Sequence, residues 1–85
     1  MAYEIIIKPS AEKAFGKLPN ALQVKILEVL EQLSVNPRPS GIKKLKSTFN
    51  IYRIRVSEYR VIYSINDNVL IVTVVKIAHR KDLYR

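Results

Sequence analysis

Apolar positions in the first half of the chain recur three and four residues apart, whereas those in the second half alternate with polar ones. Leu22, Ile26, Val29, Leu30 and Leu33 form one stripe, with Gln23, Lys25, Glu28, Glu31 and Gln32 largely off it, which predicts an amphipathic helix. Asn20 is the expected N-cap of that helix, with Gln23 as its capping-box partner. A shorter helix is expected upstream, carrying Ala11, Ala14, Phe15 and Leu18, opened by Ser10 as N-cap and stopped by Pro19. Tyr3 to Lys8 is short and rich in isoleucine and reads as a strand. The run Asn36-Pro37-Arg38-Pro39-Ser40-Gly41 ends the helical half. Ile42 to Lys46 follows as a basic segment with two apolar anchors. Three strands are then expected: Ile51 to Val56, Tyr59 to Ile65 and Val69 to Ile77, with turns at Ser57-Glu58 and Asn66-Asp67-Asn68. The expected order is β-α-α-β-β-β. It describes one α+β domain over residues 1–85, a helical hairpin laid on a mostly antiparallel sheet.

The middle hairpin allows a sharper inference. Side chains alternate faces along a strand, so Tyr52, Ile54 and Val56 share one face while Arg53 and Arg55 share the other. If Ser57-Glu58 is a two-residue turn, Val56 faces Tyr59, Ile54 faces Val61 and Arg55 faces Arg60. The apolar set is then continuous across both strands, and Arg53, Arg55 and Arg60 occupy the opposite face. Like charges placed directly opposite destabilise a sheet. Three planar guanidinium forks on rigid strands do suit a phosphate, because each donates two parallel hydrogen bonds. The structural alternative is that the arginines lie over apolar neighbours such as Ile62 and reach solvent.

The charge balance strengthens the phosphate reading. Of 85 residues, 15 are Lys or Arg and 7 are Asp or Glu, a formal net charge of +8. Residues 1–37 hold four of each sign, so the whole excess lies in residues 38–85, with eleven basic residues against three acidic ones. Such asymmetry points to a polyanionic partner. Cysteine is absent and histidine occurs once, which excludes disulfides, thiolate chemistry and a multi-histidine metal centre within one chain. No apolar run approaches the roughly 20 residues of a membrane span, and the first residues lack the pattern of a signal peptide. The expected location is the cytoplasm, without membrane association. After the last strand come His79-Arg80-Lys81-Asp82-Leu83-Tyr84-Arg85, which place an imidazole, a guanidinium and a phenol close together.

In Tyr52-Arg53-Ile54-Arg55-Val56, Glu58-Tyr59-Arg60-Val61-Ile62-Tyr63 and His79-Arg80-Lys81-Asp82-Leu83-Tyr84, together with the opening helix Ser10 to Pro19, the chain resembles the RelE/ParE superfamily of toxin–antitoxin toxins. The likeness leans to the RelE branch, whose basic catalytic positions are filled here. It implies a ribosome-dependent mRNA endonuclease neutralised by a cognate antitoxin, with toxin, antitoxin, ribosome and mRNA as the partners. A toxin–antitoxin hetero-oligomer is implied, and no cofactor or metal. The resemblance assigns Arg53 and Arg55 to a basic pair that is often lysine, Arg60 to a phosphate-binding arginine, Arg80 to a C-terminal arginine and Tyr84 to a base-contacting tyrosine. His79 is similar to a histidine found near the end of some members.

In such a reaction the RNA 2′-OH is the nucleophile. The enzyme aligns it, removes its proton, stabilises charge on the phosphate and protonates the departing 5′-oxygen. Arg60 and Arg80 fit charge stabilisation, with Arg53 or Arg55 in support. Arginine stays protonated and is a poor base, so the proton-accepting role falls to His79 or Tyr84. Lys13, Lys17, Lys43, Lys44, Lys46, Lys76 and Lys81 are expected to dock on RNA phosphates without reading bases. The alternatives are a ParE-like inhibitor that binds DNA gyrase without chemistry, and a catalytically silent nucleic-acid-binding domain.

Overall fold

The computed structural model describes residues 2–46 and 50–84; the side chains of Lys46, Leu83 and Tyr84 lie outside that description. The chain runs β1 (Glu4–Ile7), α1 (Pro9–Gly16), α2 (Asn20–Val35), β2 (Lys43–Lys46), β3 (Ile51–Val56), β4 (Tyr59–Asn66) and β5 (Ile71–His79), then a 3-10 turn, Arg80–Tyr84. The five strands form one sheet in the order β1-β5-β4-β3-β2. All neighbours are antiparallel except the edge pair β1–β5. The two helices and a mostly antiparallel sheet match the expected α+β layers, with one strand more than the pattern predicts.

That extra strand is the basic segment after the loop. Lys43 pairs with Arg53 and Lys44 with Tyr52, and a register irregularity follows before Lys46. Its lysine-rich composition hides it from a propensity reading, since lysine is depleted in strands. Lysine on a short edge strand also discourages pairing with other chains. Gly41, at φ 90°, turns the chain out of the Pro-rich loop, a conformation that costs glycine no steric penalty.

Both helix starts differ from expectation. Helix α1 begins at Pro9, capped by the extended backbone of Lys8, and Ser10 lies inside its first turn. Proline suits that first helical position because it has no N–H to leave unpaired. Helix α2 is capped by Pro19, whose carbonyl accepts from the Leu22 and Gln23 amides. Asn20 is therefore helical, and Gln23 Nε2 donates to the Phe15 carbonyl at 3.0 Å instead of closing a capping box. The last strand starts at Ile71 rather than Val69. Asp67 to Leu70 form a four-residue turn in which Leu70 adopts φ 56°, and the Asn66 side chain accepts from the Asn68 amide.

The apolar stripe of α2 does what its spacing predicts. Ile26, Leu30 and Leu33 are buried, with Leu22 and Val29 packed beside them. They meet Tyr52, Val56, Val61, Tyr63, Ile65, Val72, Val74 and Ile77 from one face of the sheet, and Ala11 of α1 completes the core. All helical cover therefore lies on one side.

At one end of the sheet a polar clasp joins four segments. Arg38 in the loop holds Asp67 through both Nη atoms, at 3.1 and 2.9 Å, and its Nε donates to the Tyr52 hydroxyl. The Tyr3 hydroxyl donates to the same carboxylate at 2.7 Å. The Arg38 bond first, and the Tyr3 bond second, hold the Asp67 carboxyl down to about 2. An ordinary aspartate titrates near about 3.9, so the depressed native value contributes stability that is complete above that pH. The contribution is lost as pH falls toward about 2. Exposure keeps it small. Urea midpoints measured from pH 7 to pH 2 are expected to fall more steeply for the unmodified chain than for Asp67→Asn, and parallel profiles would refute the clasp.

Candidate nucleic-acid interface

The hairpin register is the one that a two-residue Ser57-Glu58 turn demands. Val56 pairs with Tyr59, Arg55 with Arg60, Ile54 with Val61 and Arg53 with Ile62. Ser57 takes φ 57°, a positive value of the kind that tight hairpin turns require at their first central position. Arg53, Arg55 and Arg60 therefore stand together on the sheet face away from the helices.

Strand pairing extends that face into two adjacent rows. One row reads Arg55–Arg60–Ala78 across β3, β4 and β5; the next reads Lys43–Arg53–Ile62–Lys76 across β2 to β5. Five cations thus surround Ile62 and Ala78, and neither row contains a carboxylate. Lys76 reaches this face because of a register irregularity: Ile62 pairs with Lys76 but Tyr63 pairs with Val74, leaving Val75 as the extra residue. A bulge of this kind re-aims the side chains that follow it.

Arg60 is the exceptional member. It is only 4% exposed, although arginine is almost never fully buried without a partner. Its Nη1 donates to the carbonyl of Tyr59 at 3.2 Å, and Nε is a buried donor with no acceptor among the described residues. A buried guanidinium with unused donors is costly to keep. Arg53 beside it is half-buried and Arg55 is exposed, so the charge is presented in depth, from a recessed fork to an exposed rim.

The tail closes the same end of the sheet. The Arg80 amide donates to the Glu58 carbonyl at 2.8 Å, extending the ladder past the hairpin turn. The Arg80 Nε–Glu58 Oε2 distance is also 2.8 Å. His79, expected beside the arginines, pairs with Tyr59 and so turns to the helical side. Its ring meets that tyrosine edge-on, with centroids 5.2 Å apart. Its Nδ1 accepts from the Lys81 amide at 3.2 Å, which places the proton of the neutral ring on Nε2 and leaves no free basic nitrogen in this arrangement. The Tyr84 side chain lies outside the described residues.

The seven lysines separate. Lys43 and Lys76 join the arginine face, whereas Lys44 pairs with Tyr52 on the helical side, its Nζ 5.9 Å from that ring. Lys13 and Lys17 are exposed in and just after α1, and Lys81 is exposed in the 3-10 turn. The Lys46 side chain is outside the described residues. Sequence reasoning missed Glu58, which it treated only as a turn residue. The contact with Arg80 depends on where β5 ends, and no local signal sets that.

The family model described as the ParE toxin of type II toxin-antitoxin system, parDE, matches residues 5–84. Toxin RelE3 of Methanocaldococcus jannaschii is 28% identical over 85 residues, covering 95% of this chain and 94% of that protein. Among solved structures, the archaeal RelE–RelB complex from Pyrococcus horikoshii superposes with a TM-score of 0.87 at 33% identity, over 94% of this chain and 97% of the other. The intact E. coli RelBE toxin–antitoxin complex gives 0.80 at 26% identity, over 92% and 96%.

Proposed function

The chain belongs to the RelE/ParE family of type II toxin–antitoxin toxins, and on that premise we propose that it is an endoribonuclease that cuts mRNA on the ribosome. One observation carries the reading: a buried arginine whose Nε meets no acceptor among the described residues, set among four more cations on the sheet face away from α1 and α2. A protein that only blocks another by surface contact has no use for a recessed guanidinium held short of acceptors. A phosphodiester supplies the missing acceptors and the compensating charge at once.

The scissile phosphate sits over Arg60, with Arg53 and Arg55 on its flank and Arg80 at the turn. The 2′-oxygen attacks phosphorus as its proton leaves. The bond from phosphorus to the 5′-oxygen breaks, and that oxygen takes up a proton. The products are a 2′,3′-cyclic phosphate and a 5′-hydroxyl. The guanidinium groups stabilise the charge that builds on the non-bridging oxygens. With Nδ1 of His79 engaged and its ring on the helical side, the 2′-OH proton passes to Tyr84 reacting as its phenolate, and a cationic residue of the face assists the departing 5′-oxygen. Lys43 and Lys76 extend the cationic track along the RNA backbone, and Lys13 and Lys17 add charge for ribosomal RNA.

A cognate antitoxin is the protein partner, as in the RelE–RelB complexes. The outer edge of β1, which lacks the lysines of β2, offers a place for strand addition, and Val24, Leu27 and Val35 leave an apolar stripe exposed on α2.

Mapping RNA ends on programmed ribosomes treated with the purified chain tests the proposal. Cuts with cyclic-phosphate and 5′-hydroxyl ends are expected. Intact mRNA together with arrested gyrase supercoiling would establish the ParE-like reading instead.

A further inference from the structure

We infer that Glu58 is a positioning residue for cleavage: its carboxylate orients Arg80 so that the free edge of that guanidinium faces the phosphate held by Arg60. The inference rests on the nuclease reading.

A backbone hydrogen bond and a side-chain ion pair connect these residues, and they do different things. The Arg80 amide bond to the Glu58 carbonyl holds the tail against the turn whatever side chain stands at position 58. The carboxylate then holds Nε of Arg80 at 2.8 Å. A guanidinium carries five donors in a planar fork. With the carboxylate paired on the Nε side of the head, the edge formed by the two Nη groups is left for a second, bidentate acceptor. The amide bond to the Glu58 carbonyl carries the β4–β5 ladder one step past the Tyr59–His79 pair, so position 80 stands at the hairpin turn, two residues along the chain from the Arg60–Ala78 pair. The Arg60 head folds back onto the Tyr59 carbonyl, one residue from the carbonyl that Arg80 grips. The Arg60 head thus binds the peptide unit next to Glu58, whose carboxylate faces the Arg80 head, so both guanidinium groups belong to the hairpin tip.

Stability does not explain this pair. Both side chains are more than half exposed, and exposed ion pairs contribute little. What the carboxylate supplies is a fixed direction for a long, flexible side chain, and preorganisation of that kind is realised as rate.

Single-turnover cleavage on programmed ribosomes tests this, using Glu58→Ala, Glu58→Gln, Arg80→Ala and the double Ala variant, with Arg60→Ala alongside. Arg80→Ala is expected to slow cleavage by about 10²–10³. Glu58→Ala should slow it about tenfold, a typical loss when a supporting residue is removed. Glu58→Gln should keep more of the rate than Glu58→Ala, because its amide oxygen presents a polar partner at the same reach while the charge is lost. The double variant should be no slower than Arg80→Ala alone, with thermal melts unchanged throughout. An unchanged or faster Glu58→Ala enzyme, or losses that multiply in the double variant, would overturn the positioning role while leaving the nuclease reading intact. If the unmodified chain does not cleave, the nuclease reading fails and takes this role with it; if it cleaves and Arg60→Ala cleaves equally fast, the phosphate is not held by Arg60 and the positioning role is overturned while the nuclease reading stands.

Discussion

Arg60→Met is expected to make the protein more stable while removing most of its cleavage activity. The native residue is a permanent charge, 4% exposed, with Nε lacking any acceptor among the described residues. Leaving a buried donor unsatisfied costs about 1–3 kcal/mol, and methionine fills similar space without a polar atom. For a domain of this size each kcal/mol shifts the melting temperature by about 4–8 °C, so scanning calorimetry should show a rise of several degrees. Cleavage should fall by about 10²–10³, the usual loss when a preorganised charge-stabilising donor is removed. Arg60→Lys separates charge from geometry. A point charge cannot reproduce the bidentate fork, so it should regain little activity. A drop in melting temperature for the methionine variant would mean that Arg60 is a structural residue and that its burial says nothing about a ligand.

Tyr63 carries the largest expected stability effect. It is fully buried, stacks on Tyr52 with centroids 5.9 Å apart, and donates to the Pro37 carbonyl at 2.9 Å. Burial pushes its hydroxyl up to about 12, so it remains a donor across the physiological range. Tyr63→Ala removes a large side chain from the centre of the core, and such truncations cost about 3–5 kcal/mol. That is a large share of the roughly 5–15 kcal/mol that holds a small domain together. Tyr63→Phe keeps the packing and orphans only the Pro37 carbonyl, at about 1–3 kcal/mol. Urea unfolding of the two variants separates the contributions, and a phenylalanine variant as stable as the native chain would show that the bond to the loop contributes nothing net.

The two predictions draw on opposite faces of one sheet, which is how the fold serves its site. The helical layer and Tyr63 make one face rigid. The other face then holds five like charges close together, an arrangement that costs stability by itself. Stability and cleavage should therefore move in opposite directions for Arg60, and together for Tyr63.

Much of this was legible in the chain. The three-and-four spacing of Ile26, Leu30 and Leu33 marked the buried side of α2, because a helix repeats its faces at that interval. Alternation in Ile51–Val56 and Tyr59–Ile65, with a two-residue turn between, specified which arginines stand side by side, because any slip would have turned the apolar set outward. These are local rules, and local sequence determines their outcome.

The tertiary structure decided the rest. Strict alternation along Val72, Val74 and Lys76 would have sent Lys76 into the core; the extra residue Val75 shifts the parity, so Ile77 turns inward and Lys76 joins the arginines. Nothing in Lys43 to Lys46 announces a strand, which exists because β3 offers it an edge. Three arginines that look equivalent in sequence end as one buried, one half-buried and one exposed. His79 leaves the cationic face, and Glu58 acquires Arg80, only because of where β5 ends. Burial and convergence depend on which strands become neighbours, and that is settled by packing the whole chain rather than by any segment of it.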